Sequence, residues 1–365
     1  MQSPTVTERL LATTDHLIRP DRNLNDCQTW IHPRLTQSVD PIKGRQLRVS
    51  QPVRKGELLL VDRPYALIPV VDHPEESEDI RCSHSGCHRP VARTGERVSC
   101  PSRCSADVIW CDRSCRDADQ SRHEFECTWL KKYATSIRLK WGEYDFGMLW
   151  LIVRILASRH REIQQKTTTA PQRDERSGHA ISQSFKTGWT AIRSFCGTQE
   201  TWSHSQVRHW TMLVKKYLAN NPSSPHGMSP GDVLDLICQE EANSFGLYPR
   251  ETGVLPLLDP PLDRGEQFGA AVYATAAIAN HSCYPNIIHK PDHQGRMVFV
   301  ASKDIAAGEE CCISYFDLTK YSDLKSRRDH LQASFRFVCR CDRCVSEEPR
   351  EEQAQWDELP SVDDF

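Results

Sequence analysis

The chain reads as an α+β protein in which a β-rich core is interrupted by a metal-binding module and a helical stretch. Three observations predict this. Short apolar runs bounded by Gly and Pro occur early, at Gly44–Val49, Glu57–Val61 and Tyr65–Ile68, and return late, at Met297–Val300 and Cys311–Tyr315. Between them, cysteine and histidine dominate from Cys82 to Cys127. Beyond that stretch, Phe146, Leu149, Trp150, Val153 and Leu156 recur at helical spacing.

With 365 residues, 38% of them hydrophobic and 26% charged, the chain can bury a sizeable core in more than one lobe. A formal net charge of -3 argues against a nucleic-acid binder driven by overall basicity. The residues from Met1 to Asp21 lack the apolar core of a signal peptide, so the sixteen cysteines are read as thiols of a reducing compartment, nucleus or cytoplasm, rather than as disulfides. No run approaches the roughly 20 apolar residues needed to span a bilayer.

The elements follow in order. Residues 1–39 form a polar N-terminal extension and 40–80 the first strands. Residues 81–127 form the metal module, where few large apolar residues are available, so metal is expected to hold the piece together. Residues 128–240 are mainly helical: Thr128 to Glu162, Trp202 to Leu218, and Asp232 to Asn243 with Asp232 as cap, with a polar, mobile loop from Thr167 to Gly178. Strands return over 241–320, the segment 321–346 is cysteine-rich, and 347–365 is an acidic, weakly ordered tail.

The metal module offers Cys82, Cys87, Cys100, Cys104, Cys111, Cys115, His123 and Cys127, four close pairs that make two tetrahedral sites, with His84 and His88 as alternative ligands. Farther on, Cys339, Cys341 and Cys344 in C-x-C-x2-C spacing are one thiolate short of a site that Cys283 completes. Such closed sites are structural and perform no catalysis. Arg113, Arg116, Arg122, Lys131 and Lys132 make the end of the module basic and are read as a solvated helix face, not a direct nucleic-acid surface.

The C-x3-C-x7-H-x3-C run from Cys111 to Cys127 resembles the second half of a MYND finger, although C-x4-C and C-x3-C in the first half are wider than usual. That resemblance implies interleaved ligands: Cys82, Cys87, Cys111 and Cys115 on one Zn2+, and Cys100, Cys104, His123 and Cys127 on another. Asn280-His281-Ser282-Cys283-Tyr284-Pro285-Asn286 followed by the C-x-C-x2-C tail resembles the SET methyltransferase fold with its post-SET zinc. Together, from about Pro41 to Glu347, the chain is similar to the SET-and-MYND proteins: a β-rich SET fold split by an inserted MYND finger and a helical insertion. Many relatives continue into a C-terminal helical repeat domain, for which the 19 residues from 347 onward leave too little sequence, so a short form with a more open cleft is expected.

The resemblance implies S-adenosylmethionine as cofactor, three Zn2+ ions and a lysine-containing protein, a histone or another, as substrate. Lys43-Gly44-Arg45-Gln46 resembles the Gly-rich turn at the methionine end of the cofactor, with Gln46 where a second glycine is usual, which implies a distorted turn or a side chain crowding the cofactor. Asn243 resembles the asparagine at the strand entry, and Asn280 and His281 the Asn-His pair, the histidine presenting backbone to the adenine. Tyr315 takes the place of the catalytic tyrosine. Phe335 falls in the lysine channel, where relatives commonly carry tyrosine, and Phe337 at the adenine pocket. A second class of function stands beside this one: an adaptor whose MYND finger captures a proline-containing peptide while the SET lobe is weak or silent.

Overall fold

The computed structural model describes residues 29–69, 79–94, 97–168, 185–219, 227–257 and 263–348. The loop expected at 167–178 and the acidic tail fall almost wholly outside the described residues. The strands, in chain order, are β1 (Trp30–Ile31), β2 (Leu35–Asp40), β3 (Gly44–Val49), β4 (Leu58–Asp62), β5 (Pro64–Ile68), β6 (Asp79–Arg81), β7 (Pro90–Ala92), β8 (Val98–Ser99) and β9 (Ile109–Trp110). After the helical part come β10 (Phe245–Leu247), β11 (Gly269–Tyr273), β12 (Asn280–His281), β13 (Ile287–Pro291), β14 (Met297–Ala301) and β15 (Glu310–Ile313). The helices are α1 (Arg113–Thr168), α2 (Gly188–Ile192), α3 (His204–Leu213), α4 (Pro230–Asn243), α5 (Leu324–Phe335) and α6 (Asp342–Ser346).

Three small sheets make the β core, with strand orders β1-β4-β14-β13, β10-β11-β5 and β12-β15-β3-β2. Each joins early strands to late ones across the inserted module and helices. β14 lies antiparallel to β4, β11 to β5, and β15 to β3. Leu47, Leu59, Leu60, Phe299 and Ile313 lie buried between them. Asp62 fixes the return of the chain: it accepts hydrogen bonds from the backbone N–H groups of Thr275 (2.7 Å) and Ala276 (2.8 Å), shaping the turn that leads into β12.

Four expectations are corrected. The helix expected from Thr128 starts at Arg113 and is bent at Gly142, whose φ of 88° lies outside the helical region; Cys115, His123 and Cys127 therefore sit on α1 itself. The metal module is less poor in core than its composition implied, because Val108, Ile109, Trp110 and Phe125 pack into one core with Trp129, Leu130 and Trp150 of α1. Arg122, read as part of a solvated face, is 2% exposed, whereas Arg113, Lys131 and Lys132 are exposed. Helix α4 is capped by Ser229, not Asp232: the Ser229 hydroxyl accepts from the Asp232 N–H while the Asp232 carboxylate reaches back to Ser229. Ser229→Ala should therefore lower stability by about 1 kcal/mol, measured as a shift in urea midpoint.

Candidate active site and metal centres

Three groups of four ligand atoms come together: Cys82, Cys87, Cys111, Cys115; Cys100, Cys104, His123, Cys127; and Cys283, Cys339, Cys341, Cys344, each set within 4.8 Å. Around a Zn2+ with bonds of about 2.3 Å, tetrahedral sulfurs stand about 3.8 Å apart. The gaps match: Cys87–Cys111 3.9 Å, Cys100–Cys127 3.6 Å, Cys283–Cys339 3.9 Å and Cys283–Cys344 3.5 Å. The three sets thus fit zinc. In the first, Arg89 Nε donates to the Cys87 sulfur at 3.3 Å, a contact that favours the thiolate that binds metal. His84 and His88 stand outside all three sets.

The His123 ligand is backed by a buried network. Its Nδ1 lies 3.4 Å from Glu126, which forms an ion pair with Arg122 at 2.8 Å, accepts from Trp150 Nε1 at 2.8 Å and from Arg154 Nε at 3.0 Å. Arg154 also donates to the carbonyl of Leu67 in β5 at 2.5 Å, and Asp119 holds Arg122 and Trp110. The opposed charges of Arg122 and Arg154 hold the Glu126 carboxyl well below the usual carboxylate range despite its burial.

In the β core, β12 carries Asn280 and His281 beside β15, which leads into Tyr315. The Tyr315 hydroxyl donates to the Ala279 carbonyl at 3.0 Å, and burial pushes its pKa above the ordinary value. Its ring packs on Phe335 (centroids 4.9 Å) and edge-on to Phe337 (6.3 Å). His281 joins this site to the third cysteine cluster, accepting the Tyr315 N–H on Nδ1 at 3.0 Å while Nε2 faces the Cys283 sulfur at 3.2 Å. Tyr315, Phe335, Asn243, Phe245, Ala279 and His289 line one cleft.

The other residues singled out in the sequence lie nearby, with their side chains largely engaged. The Asn280 amide donates to the Arg45 carbonyl (3.2 Å) and Glu310 (2.9 Å), and Lys43 pairs with Glu310 at 2.7 Å. Arg45 donates to Ser194 at 3.2 Å, and Asn243 donates to the carbonyls of Cys196 (2.8 Å) and Gln239 (2.7 Å). The distorted turn, one alternative expected from Gln46, does not occur in the hairpin. Gly44 supplies the φ of +73° at the turn, the β2–β3 register is regular, and Gln46, 2% exposed, settles between Ser38, Arg48 and Glu310.

Four residues that matter here escaped the sequence reading: Glu310, Asp62, Arg264 and His289. Glu310 was visible only as part of a strand motif, and no local spacing marks the others.

An α+β domain with three cysteine-rich clusters that fit zinc, the last of them beside an aromatic cleft, is the class of protein these features define. The family model described as SET domain matches residues 44–316, and the chain belongs to that family. It is related to the SET and MYND proteins. It is 24% identical over 330 residues to a SET and MYND domain-containing protein of Dictyostelium discoideum, covering 84% of this chain and 59% of that protein. It is 25% identical over 316 residues to human N-lysine methyltransferase SMYD2, covering 86% and 61%, and 22% identical over 336 residues to the histone-lysine N-methyltransferase SET5 of Meyerozyma guilliermondii, covering 86% and 64%. The chain thus spans about three fifths of the length of these relatives. Among the described residues, no helix is long and apolar enough to cross a membrane.

Proposed function

We propose that this protein transfers a methyl group from S-adenosylmethionine to a lysine amine of a protein, histone or other. The observation that carries the reading is Tyr315 held half-buried between a main-chain carbonyl and Phe335, directly after the strand that pairs with Asn280–His281. The carbonyls and aromatic rings at this spot suit a sulfonium-bearing cofactor. When bound, that cofactor supplies the electrophilic methyl. Lys43, Arg45, Asn243, Asn280, His281 and Phe337 are the residues assigned to hold it, those with engaged side chains acting through backbone and shape.

Tyr315 orients the lysine amine and keeps its hydroxyl where positive charge develops, while Phe335 walls the channel and excludes water. The neutral tyrosine, its pKa raised by burial, retains its proton throughout. The fastening of Phe335 and Phe337 by the Cys283 cluster completes the wall. On this reading the protein works in a reducing compartment, nucleus or cytoplasm.

The adaptor reading draws on the engaged side chains of Asn243 and Asn280 and on a finger cleft lined by Pro101, Ser102, Trp110, Arg116 and Gln120, suited to a proline-containing peptide. Calorimetry with S-adenosylmethionine on zinc-loaded protein separates the two. Saturable binding, with Tyr315→Phe still binding but transferring labelled methyl about 10²–10³-fold more slowly, is expected. No binding by folded protein would leave the adaptor as the better account.

A further inference from the structure

The cleft in front of Tyr315 has an electrostatic character that follows from two residues outside the motifs. His289 on β13 is 7% exposed, with its imidazole edge-on to Phe245 and Phe299 (centroids 6.1 and 6.0 Å). Its backbone pairs with Thr252, but its ring has no hydrogen-bond partner among the described residues. Of the two ring nitrogens, Nδ1 is fully enclosed without a partner, whereas the ring borders the cleft. Burying a donor N–H without an acceptor costs more than leaving a ring nitrogen bare, so the proton belongs on Nε2, as a donor available to the cleft.

Arg264, half-buried, is the second residue. Its guanidinium lies 3.6 Å above the Tyr248 ring and pairs with no carboxylate within 4 Å among the described residues. The nearby Asp317 turns its carboxylate to the Arg264 backbone N–H (3.1 Å), the Thr319 N–H (3.0 Å) and the Thr319 hydroxyl (2.8 Å), and its charge acts on the guanidinium only from beyond ion-pair distance, which leaves the guanidinium donors to the cleft. The rest of the lining is apolar or neutral, with no Asp or Glu among it. Both chemically active groups therefore offer hydrogen, and one adds a fixed positive charge.

We propose that this cleft reads a carboxylate side chain, Asp or Glu, placed next to the substrate lysine, with Arg264 and His289 as the specificity-determining residues. The inference rests on the methyl-transfer reading for the lysine itself. Arg264 supplies the charge and His289 the direction: a carboxylate oxygen accepts from both, while the neighbouring lysine enters toward Tyr315 and Phe335. An arginine or lysine in the same place would meet the Arg264 charge in a poorly solvated cleft. Burial, with the Arg264 charge, lowers the His289 pKa to about 3, so the ring stays neutral and its single donor persists across physiological pH.

The test uses zinc-loaded full chain and three fluorescein-labelled peptides that carry one central lysine flanked by Glu, Ala or Arg, read by fluorescence anisotropy at 150 mM salt. The Glu peptide should bind at least about tenfold more tightly than the Arg peptide, the equivalent of one hydrogen-bonded charge. Arg264→Gln and His289→Val should each narrow that ratio, while Arg264→Lys, which keeps the charge, should preserve most of it. Circular dichroism establishes that each variant is folded. Equal affinities, a preference for the Arg peptide, no binding of any peptide, or a ratio untouched by Arg264→Gln overturns the proposal. S-adenosylmethionine binding, measured separately, distinguishes the two layers: loss of cofactor binding with an intact Glu preference defeats the methyl-transfer reading alone, and cofactor binding without that preference defeats the cleft assignment alone.

Discussion

Glu126→Ala is expected to destabilise the protein by about 3–5 kcal/mol, the usual cost of removing one partner from a buried ion pair. Glu126 is fully buried and is the carboxylate shared by Arg122 and Arg154, and Asp119 alone would then face two buried guanidinium groups. The loss would also free the indole N–H of Trp150 and unseat the His123 ligand from its backing group. Because Arg154 reaches the Leu67 carbonyl in β5, the damage should spread from the finger to the β core. Urea unfolding monitored by tryptophan fluorescence measures the change, and zinc content measures whether the second cluster weakens. An unchanged midpoint would refute the network as a structural tie. The double replacement Glu126→Leu with Arg154→Met, which removes both charges, should recover much of the loss.

The second large effect concerns the tail. On the methyl-transfer reading, Cys339→Ser should cost transfer at least about 10²-fold while the two finger clusters keep their metal, because the tie between Cys283 and the tail cysteines helps hold Phe335 and Phe337 against Tyr315. Zinc measured by plasma emission should fall from three ions to two. S-adenosylmethionine affinity should weaken with it, since the aromatic wall and the His281 contact to Cys283 loosen together. Full activity with two ions would refute the role assigned to the third cluster.

Much of this was legible in the primary structure because it is written in short spacings. Close pairs of Cys and His, and a lone Cys283 in a polar motif before C-x-C-x2-C, name the ligand candidates without any knowledge of packing, while the sorting of the finger ligands into two interleaved sets came from the resemblance to a MYND finger. Apolar runs between Gly and Pro marked the strands β3, β4, β5 and β14, and the Phe146–Leu156 periodicity marked the second half of α1. The helix start was misplaced because residues 113–127 carry ligands and charges where a helical apolar stripe would otherwise stand out; the charges of Asp119, Arg122 and Glu126 neutralise one another inside, so polarity disguised a buried face.

The sequence by itself therefore determined the fold class, the twelve ligand candidates and the order of the motifs, since each depends on the chemistry of residues close in the chain. Only the tertiary structure decided which partners those residues take. Asn280 meets the Arg45 carbonyl across 235 positions, Asp62 holds Thr275 across 213, and Arg154 ties α1 to Leu67 across 87. His281 turns to Cys283 and Tyr315, and the cleft gains Arg264 and His289 from strands and loops that no motif marks. Hydrogen-bond donors and charges taken from water must find partners, and which partner is in reach is set by how the sheets and helices pack, a property of the whole chain rather than of any short segment.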